Sequence, residues 1–99
     1  MSEDEDDDFP EAVELPITDV LDLHSFPPRD VPDLVRAWLD EVVALGFTEV
    51  RIIHGRGVGV QRQTVRTLLE RDPRVAHFQD APAEAGGWGA TVVRLRTAN

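Results

Sequence analysis

Two histidines, an aspartate and two glycine-rich turns are the parts of this 99-residue chain whose types and spacing could do chemistry. Asp22 and His24 stand two apart in Leu-Asp-Leu-His, residues 21 to 24. In an extended segment that spacing turns both side chains to one face, about 6–7 Å apart along the chain. A carboxylate so placed orients an imidazole and suits it to proton transfer. The plainer alternative is a strand-end aspartate bonded to a turn, beside a histidine held by packing.

His54-Gly55-Arg56-Gly57 runs into Val58-Gly59. A strand, a glycine turn and then a helix offer backbone N–H groups and the positive end of a helix dipole to an anion, and Arg56 adds a guanidinium. Phosphate is the natural guest of Gly55, Arg56, Gly57 and Gly59. Val60 stands where a dinucleotide fingerprint needs its third glycine, and no G-K-[ST] closes the turn, so neither a Rossmann fingerprint nor a P-loop is present. The alternative is that these glycines serve only a tight turn. A third motif, Gly86-Gly87-Trp88-Gly89-Ala90-Thr91, feeds the last strand. Trp88 is either a stacking platform for a base or a lid on the core. His77 has no acidic or histidine neighbour in sequence and reads as structural. With three histidines and no cysteine, a closed zinc site is not expected; transient Mg²⁺ on Asp22 and a substrate phosphate stays open.

The elements that must carry these groups follow from periodicity. Ile17 to His24 alternate, Leu21 and Leu23 on one face and Val20, Asp22 and His24 on the other, as in a strand. Pro27-Pro28 stop it, and Asp30 is placed to cap a helix whose inner stripe is Leu34, Val35, Trp38, Leu39 and Val42, ended by Gly46. Val50 to Ile53 form a short apolar strand, expected to be covered on both faces. A second helix follows the glycine turn, with Val65, Leu68 and Leu69 inward and Arg62 and Arg66 together on its outer face, and Asp72-Pro73 terminates it. Val75 to Gln79 and Thr91 to Arg96 are two further strands. Right-handed crossovers make the first two strands parallel and bring their C-terminal tips to one rim, where open α/β sheets bind ligands.

Length allows one domain. The formal charge of −9 is misleading, because eight acids and no base lie in residues 1 to 14, leaving eleven acids against ten arginines from 15 to 99. Six of those arginines fall between Arg51 and Arg74, beside only Glu70 and Asp72, which makes a modest phosphate-facing patch. Residues 1 to 14 are expected to be a disordered acidic tail, solubilising or mimicking nucleic acid, ahead of a domain from 15 to 99. No leader and no apolar run near the roughly 20 residues of a membrane span is seen, so a cytoplasmic monomer without a membrane partner is expected.

Taken in order, LDLH at 21 to 24, HGRG at 54 to 57 and GGWGAT at 86 to 91 resemble the Smr (small MutS-related) domain family. The resemblance implies a two-layer β-α-β-α-β-β sandwich with a four-stranded mixed sheet, similar to the C-terminal domain of bacterial translation initiation factor three. It implies a nucleic-acid-processing role, cleavage of RNA or nicking of structured DNA, with the ribosome as a further partner and no required cofactor. Carried over by position, the D-x-H pair falls on Asp22 and His24 and the H-G-[KR]-G turn starts at His54; as catalytic residues, His24 would take a proton, oriented by Asp22, while His54 or a nearby group gives one to the leaving oxygen. The last glycine motif falls on Gly86, Gly87 and Gly89; together with Arg62, Arg66 and Trp88, which the residue pattern itself singles out, these would hold nucleic acid. Ser25-Phe26-Pro27-Pro28 follows the D-L-H where many members have glycine, a form associated with short stand-alone bacterial members. The competing reading is a binding module without catalysis that uses the same rim.

Overall fold

A computed structural model describes residues 17–55 and 60–96. The tail at 1 to 14 and the turn residues 56 to 59 lie outside the described residues. The element order is β1 (Val20–Asp22), α1 (Val31–Ala44), β2 (Glu49–Ile53), α2 (Val60–Arg71), β3 (Val75–Asp80) and β4 (Ala90–Leu95). One sheet in the order β1-β2-β4-β3 results, β1 parallel to β2 and β4 antiparallel to both of its neighbours. This is the expected two-layer α/β sandwich with a mixed sheet.

Alternation sets the layers. Leu21, Leu23, Val50, Ile52, Val93 and Leu95 share the face that meets Val35, Trp38, Leu39 and Val42 of α1 and Val65 and Leu69 of α2, in one core. The expectation that β2 is covered on both faces is corrected, since only Val50 and Ile52 are fully buried while Arg51 and Ile53, on the other face, are half-buried. That second face is overlaid in part by the connection from β3 to β4, where the Arg51 guanidinium donates to the Ala85 carbonyl at 3.0 Å.

The ends of α1 follow local chemistry. Asp30 holds the N-cap position but makes no side-chain cap bond, because the single turn of 3₁₀ helix at Pro28–Asp30 already leads the backbone into helical angles. At the other end Gly46, at φ +86°, donates to the Val43 carbonyl and Phe47 donates to Val42. That pair of bonds is a Schellman closure, which needs a left-handed residue where glycine stands. Arg74 joins the layers further, bonding Asp72 beside it and Asp40 on α1. Among the described residues no helix is long and apolar enough to cross a membrane.

Candidate functional site

Strand directions bring four tips to one rim: the C-terminal ends of β1, β2 and β3 and the start of β4. In sheet order these carry His24, His54, Gly89 and Asp80. Adjacent strands are about 4.8 Å apart, so the rim from β1 to β3 spans roughly 14 Å.

His24 sits just past β1, in a turn closed by the Phe26 N–H donating to the Leu23 carbonyl at 3.0 Å. Asp22 holds it twice through one carboxylate oxygen: Oδ1 accepts from the His24 backbone N–H at 3.0 Å and lies 2.6 Å from ring Nδ1. The backbone N–H of His24, then its ring, hold the Asp22 carboxyl below the usual carboxylate range. Asp22 is therefore ionised near neutral pH and fixes the proton of a neutral ring on Nδ1, leaving Nε2 with its lone pair. The imidazole is 72% exposed, and among the described residues nothing occupies Nε2.

His54 is different. Its ring is on the helix side of the sheet, 5% exposed, with both nitrogens engaged. Nδ1 lies 3.1 Å from the Gly55 carbonyl, which only accepts, so Nδ1 carries the proton; Nε2, 2.9 Å from Thr91 Oγ1, accepts from that hydroxyl. Burial is the main cause that pushes its pKa below 6.5; the Gly55 carbonyl and Asp80 pull upward, Arg62 and Arg66 downward. Expected to protonate a leaving group, His54 instead lies buried, its Nδ1 on the Gly55 carbonyl and its Nε2 on the Thr91 hydroxyl.

The glycine loop braces the same place. Gly89, buried, accepts at its carbonyl from both the His54 and Gly55 N–H groups, at 3.0 and 2.9 Å. Gly86 must be glycine: its φ is +118°, and a Cβ there would meet Ala90 Cβ at 2.9 Å. Gly87 donates to the Pro82 carbonyl at 3.0 Å. Trp88 is 45% exposed and no lid on the core. Its ring takes the Arg62 guanidinium at 5.3 Å, while Arg66 lies 4.9 Å over Phe78. Arg62 and Arg66 do share a face of α2, but it is turned to β3 rather than outward, and both bond Asp80 Oδ1, at 2.7 and 3.3 Å.

Arg56, Gly57 and Gly59 of the anticipated phosphate turn lie outside the described residues; Gly55, at φ +88°, opens it. His77 is exposed on the uncovered face, its Nε2 bonded to Gln79 at 3.2 Å, apart from the rim and from the core. No group of three or more metal-binding side chains occurs among the described residues. Two residues escaped the sequence reading. Thr91 was visible as the last letter of GGWGAT, but its contact to His54 depends on the β2–β4 register, which pairs Ile52 with Thr91. Asp80 closes an unremarkable strand, and only folding brings it to the arginines.

Comparison with known proteins matches residues 21–96 to the Smr domain. The chain belongs to the Smr domain family. Among solved structures, this Smr domain resembles that of Thermus thermophilus MutS2, with a TM-score of 0.75 and 43% identity, covering 78% of this chain and 96% of that one. It also resembles YdaL, a stand-alone small MutS-related protein of Escherichia coli, with a TM-score of 0.75 and 28% identity over 79% of this chain and 64% of that one. Endonuclease MutS2 of Helicobacter pylori is 39% identical over 76% of this chain. The chain spans only 10% of that relative, and 8% of the Thermus thermophilus MutS2, with which it is 52% identical over 58 residues.

Proposed function

We propose that this Smr domain is an endonuclease that cleaves RNA or nicks structured DNA, with His24 moving the proton. The observation that carries the reading is the Asp22–His24 pair, an exposed imidazole held at Nδ1 by a carboxylate with Nε2 open to a substrate. Membership of a family whose MutS2 relatives are named endonucleases supports it. In the RNA reaction His24 Nε2 takes the proton of a 2′-hydroxyl, the freed oxygen attacks phosphorus, and the bond from phosphorus to the 5′-oxygen breaks. Asp22 stabilises the imidazolium that forms. The leaving oxygen takes its proton from solvent, since the proton of the buried His54 ring is held by the Gly55 carbonyl. On DNA the same ring takes a proton from water, whose oxygen attacks phosphorus as one phosphorus–oxygen ester bond breaks and the leaving oxygen is protonated from solvent.

His54 then acts as a positioning residue. Its ring and backbone fix Gly55 and the start of the turn whose Arg56 and Gly57 to Val60 amides would hold the charge developing on phosphate oxygen. A second reading, a binding module without catalysis, is favoured by Arg62, Arg66 and Trp88, which offer cation and ring to nucleic acid with no proton-transfer group among them. It predicts salt-sensitive binding without product.

The test is a gel of labelled RNA hairpins and supercoiled plasmid, each with EDTA or Mg²⁺, against wild type, His24→Ala and His54→Gln. Cleavage in EDTA that His24→Ala lowers by about 100- to 10,000-fold supports the proton-transfer role. Cleavage strictly dependent on Mg²⁺ moves Asp22 into a ligand role. Rates unchanged by His24→Ala refute the assignment, and absence of product with binding intact establishes the module.

A further inference from the structure

The far end of the rim holds a cluster that proton transfer at His24 does not use. Arg62 and Arg66 lie one helical turn apart on α2, each with its guanidinium over an aromatic ring, Arg62 on Trp88 and Arg66 on Phe78. Both reach the same atom, Asp80 Oδ1, through a single nitrogen each. An arginine meets a carboxylate best through two parallel bonds, and here two arginines divide one oxygen. The cluster carries two positive charges against one negative, and Arg62 holds a buried Nε–H without an acceptor among the described residues. A phosphodiester brings two non-bridging oxygens, one for each. Beside them the Trp88 ring takes the Arg62 guanidinium, and 45% of the residue meets solvent.

We infer that Arg62, Arg66, Asp80 and Trp88 form a nucleotide subsite that stacks one unpaired base on Trp88 and takes the adjoining phosphate on the two arginines, displacing Asp80. The inference rests on the proposed action on nucleic acid and names its substrate class, a strand with an unstacked base rather than continuous duplex. Stacking needs a free base face, which a duplex interior does not offer. Asp80 is a placeholder: it keeps both guanidinium groups on their rings in the absence of substrate and surrenders them to a better acceptor. A strand laid along the rim would cross from this subsite to His24 in a few nucleotides.

The experiment is a fluorescence-anisotropy titration of the full chain carrying His24→Ala, so that nothing turns over, with a labelled single-stranded octanucleotide and with the matching duplex. Trp88→Ala is expected to weaken single-strand binding by about 5- to 150-fold and duplex binding far less, with Trp88→Phe recovering part of the loss. Trp88 is exposed and outside the core, so its variants fold. Asp80→Asn is expected to tighten single-strand binding and to steepen its salt dependence by about 0.7 in log–log slope for each phosphate contact recovered. Single-strand binding unchanged by Trp88→Ala overturns the subsite, as does weaker binding by an Asp80→Asn variant that melts like its parent. If wild-type cleavage persists in either case, the endonuclease reading survives; if the parent binds neither strand nor duplex, both readings fail together.

Discussion

Replacing Thr91 by Val tests the wall around His54. Thr91 is fully buried, and its hydroxyl is the hydrogen-bond partner of His54 Nε2. Valine keeps the shape and the β-branching and removes the donor, so a buried ring nitrogen is left without a partner. Such an orphan costs about 1–3 kcal/mol. Burying a methyl where the hydroxyl was offsets part of this, which leaves a net loss of about 1–2 kcal/mol. For a domain of this size that lowers Tm by about 4–16 °C. Thr91→Ser keeps the hydroxyl and loses one methyl, worth about 0.8 kcal/mol, and should fall between wild type and Thr91→Val. The assay is urea unfolding at pH 7.5 of wild type, Thr91→Val, His54→Leu and the double variant. With the imidazole gone there is no acceptor to orphan, so the cost of Thr91→Val should shrink to near zero in the His54→Leu background. Wild-type stability for Thr91→Val, or the same cost in both backgrounds, refutes the proposed bond and with it the bracing of the turn.

Three further outcomes follow from the same contacts. Because burial depresses the His54 pKa, the unfolded chain binds the extra proton first as pH falls below 6.5. Stability that is complete above 6.5 should therefore fall by up to about 1.4 kcal/mol per pH unit down to the folded pKa, a slope that His54→Leu flattens in urea melts at pH 5.5 to 7.5. Gly86→Ala forces a Cβ against Ala90 at a left-handed φ, and should lower stability by about 1–3 kcal/mol in thermal melts. Arg74→Gln breaks the links to Asp72 and Asp40, and should cost about 1–2 kcal/mol at low salt and less at 0.5 M, read by urea unfolding in both buffers.

Much of this architecture could be read from residue order. The stripes of α1 and α2 and Gly46 as helix stop are local consequences of period and turn chemistry, as is the proximity of Asp22 to His24, while the parallel β1–β2 pair follows from crossover handedness. What sequence could not settle was which side of a strand tip faces solvent. The spacing rules treat His24 and His54 alike, yet one lies in a turn beyond β1 and the other continues the buried parity of Val50 and Ile52. Arg62 and Arg66 looked outward because a helix periodicity names a shared face without naming its neighbour; that neighbour, β3, is contributed by a strand 14 to 18 residues later. Arg51 interrupted an apolar run for the same reason, since its partner at Ala85 comes from a connection whose path no local pattern specifies.

Imidazole rescue asks whether the His24 ring itself moves the proton. The measurement is the single-turnover cleavage rate of His24→Gly in EDTA, with and without added imidazole, beside a His54→Gly control. Added imidazole is expected to restore cleavage to His24→Gly in proportion to its concentration and to do nothing for His54→Gly. Rescue of His54→Gly alone, or a His24→Gly protein that cleaves at the wild-type rate without imidazole, would contradict proton transfer by His24.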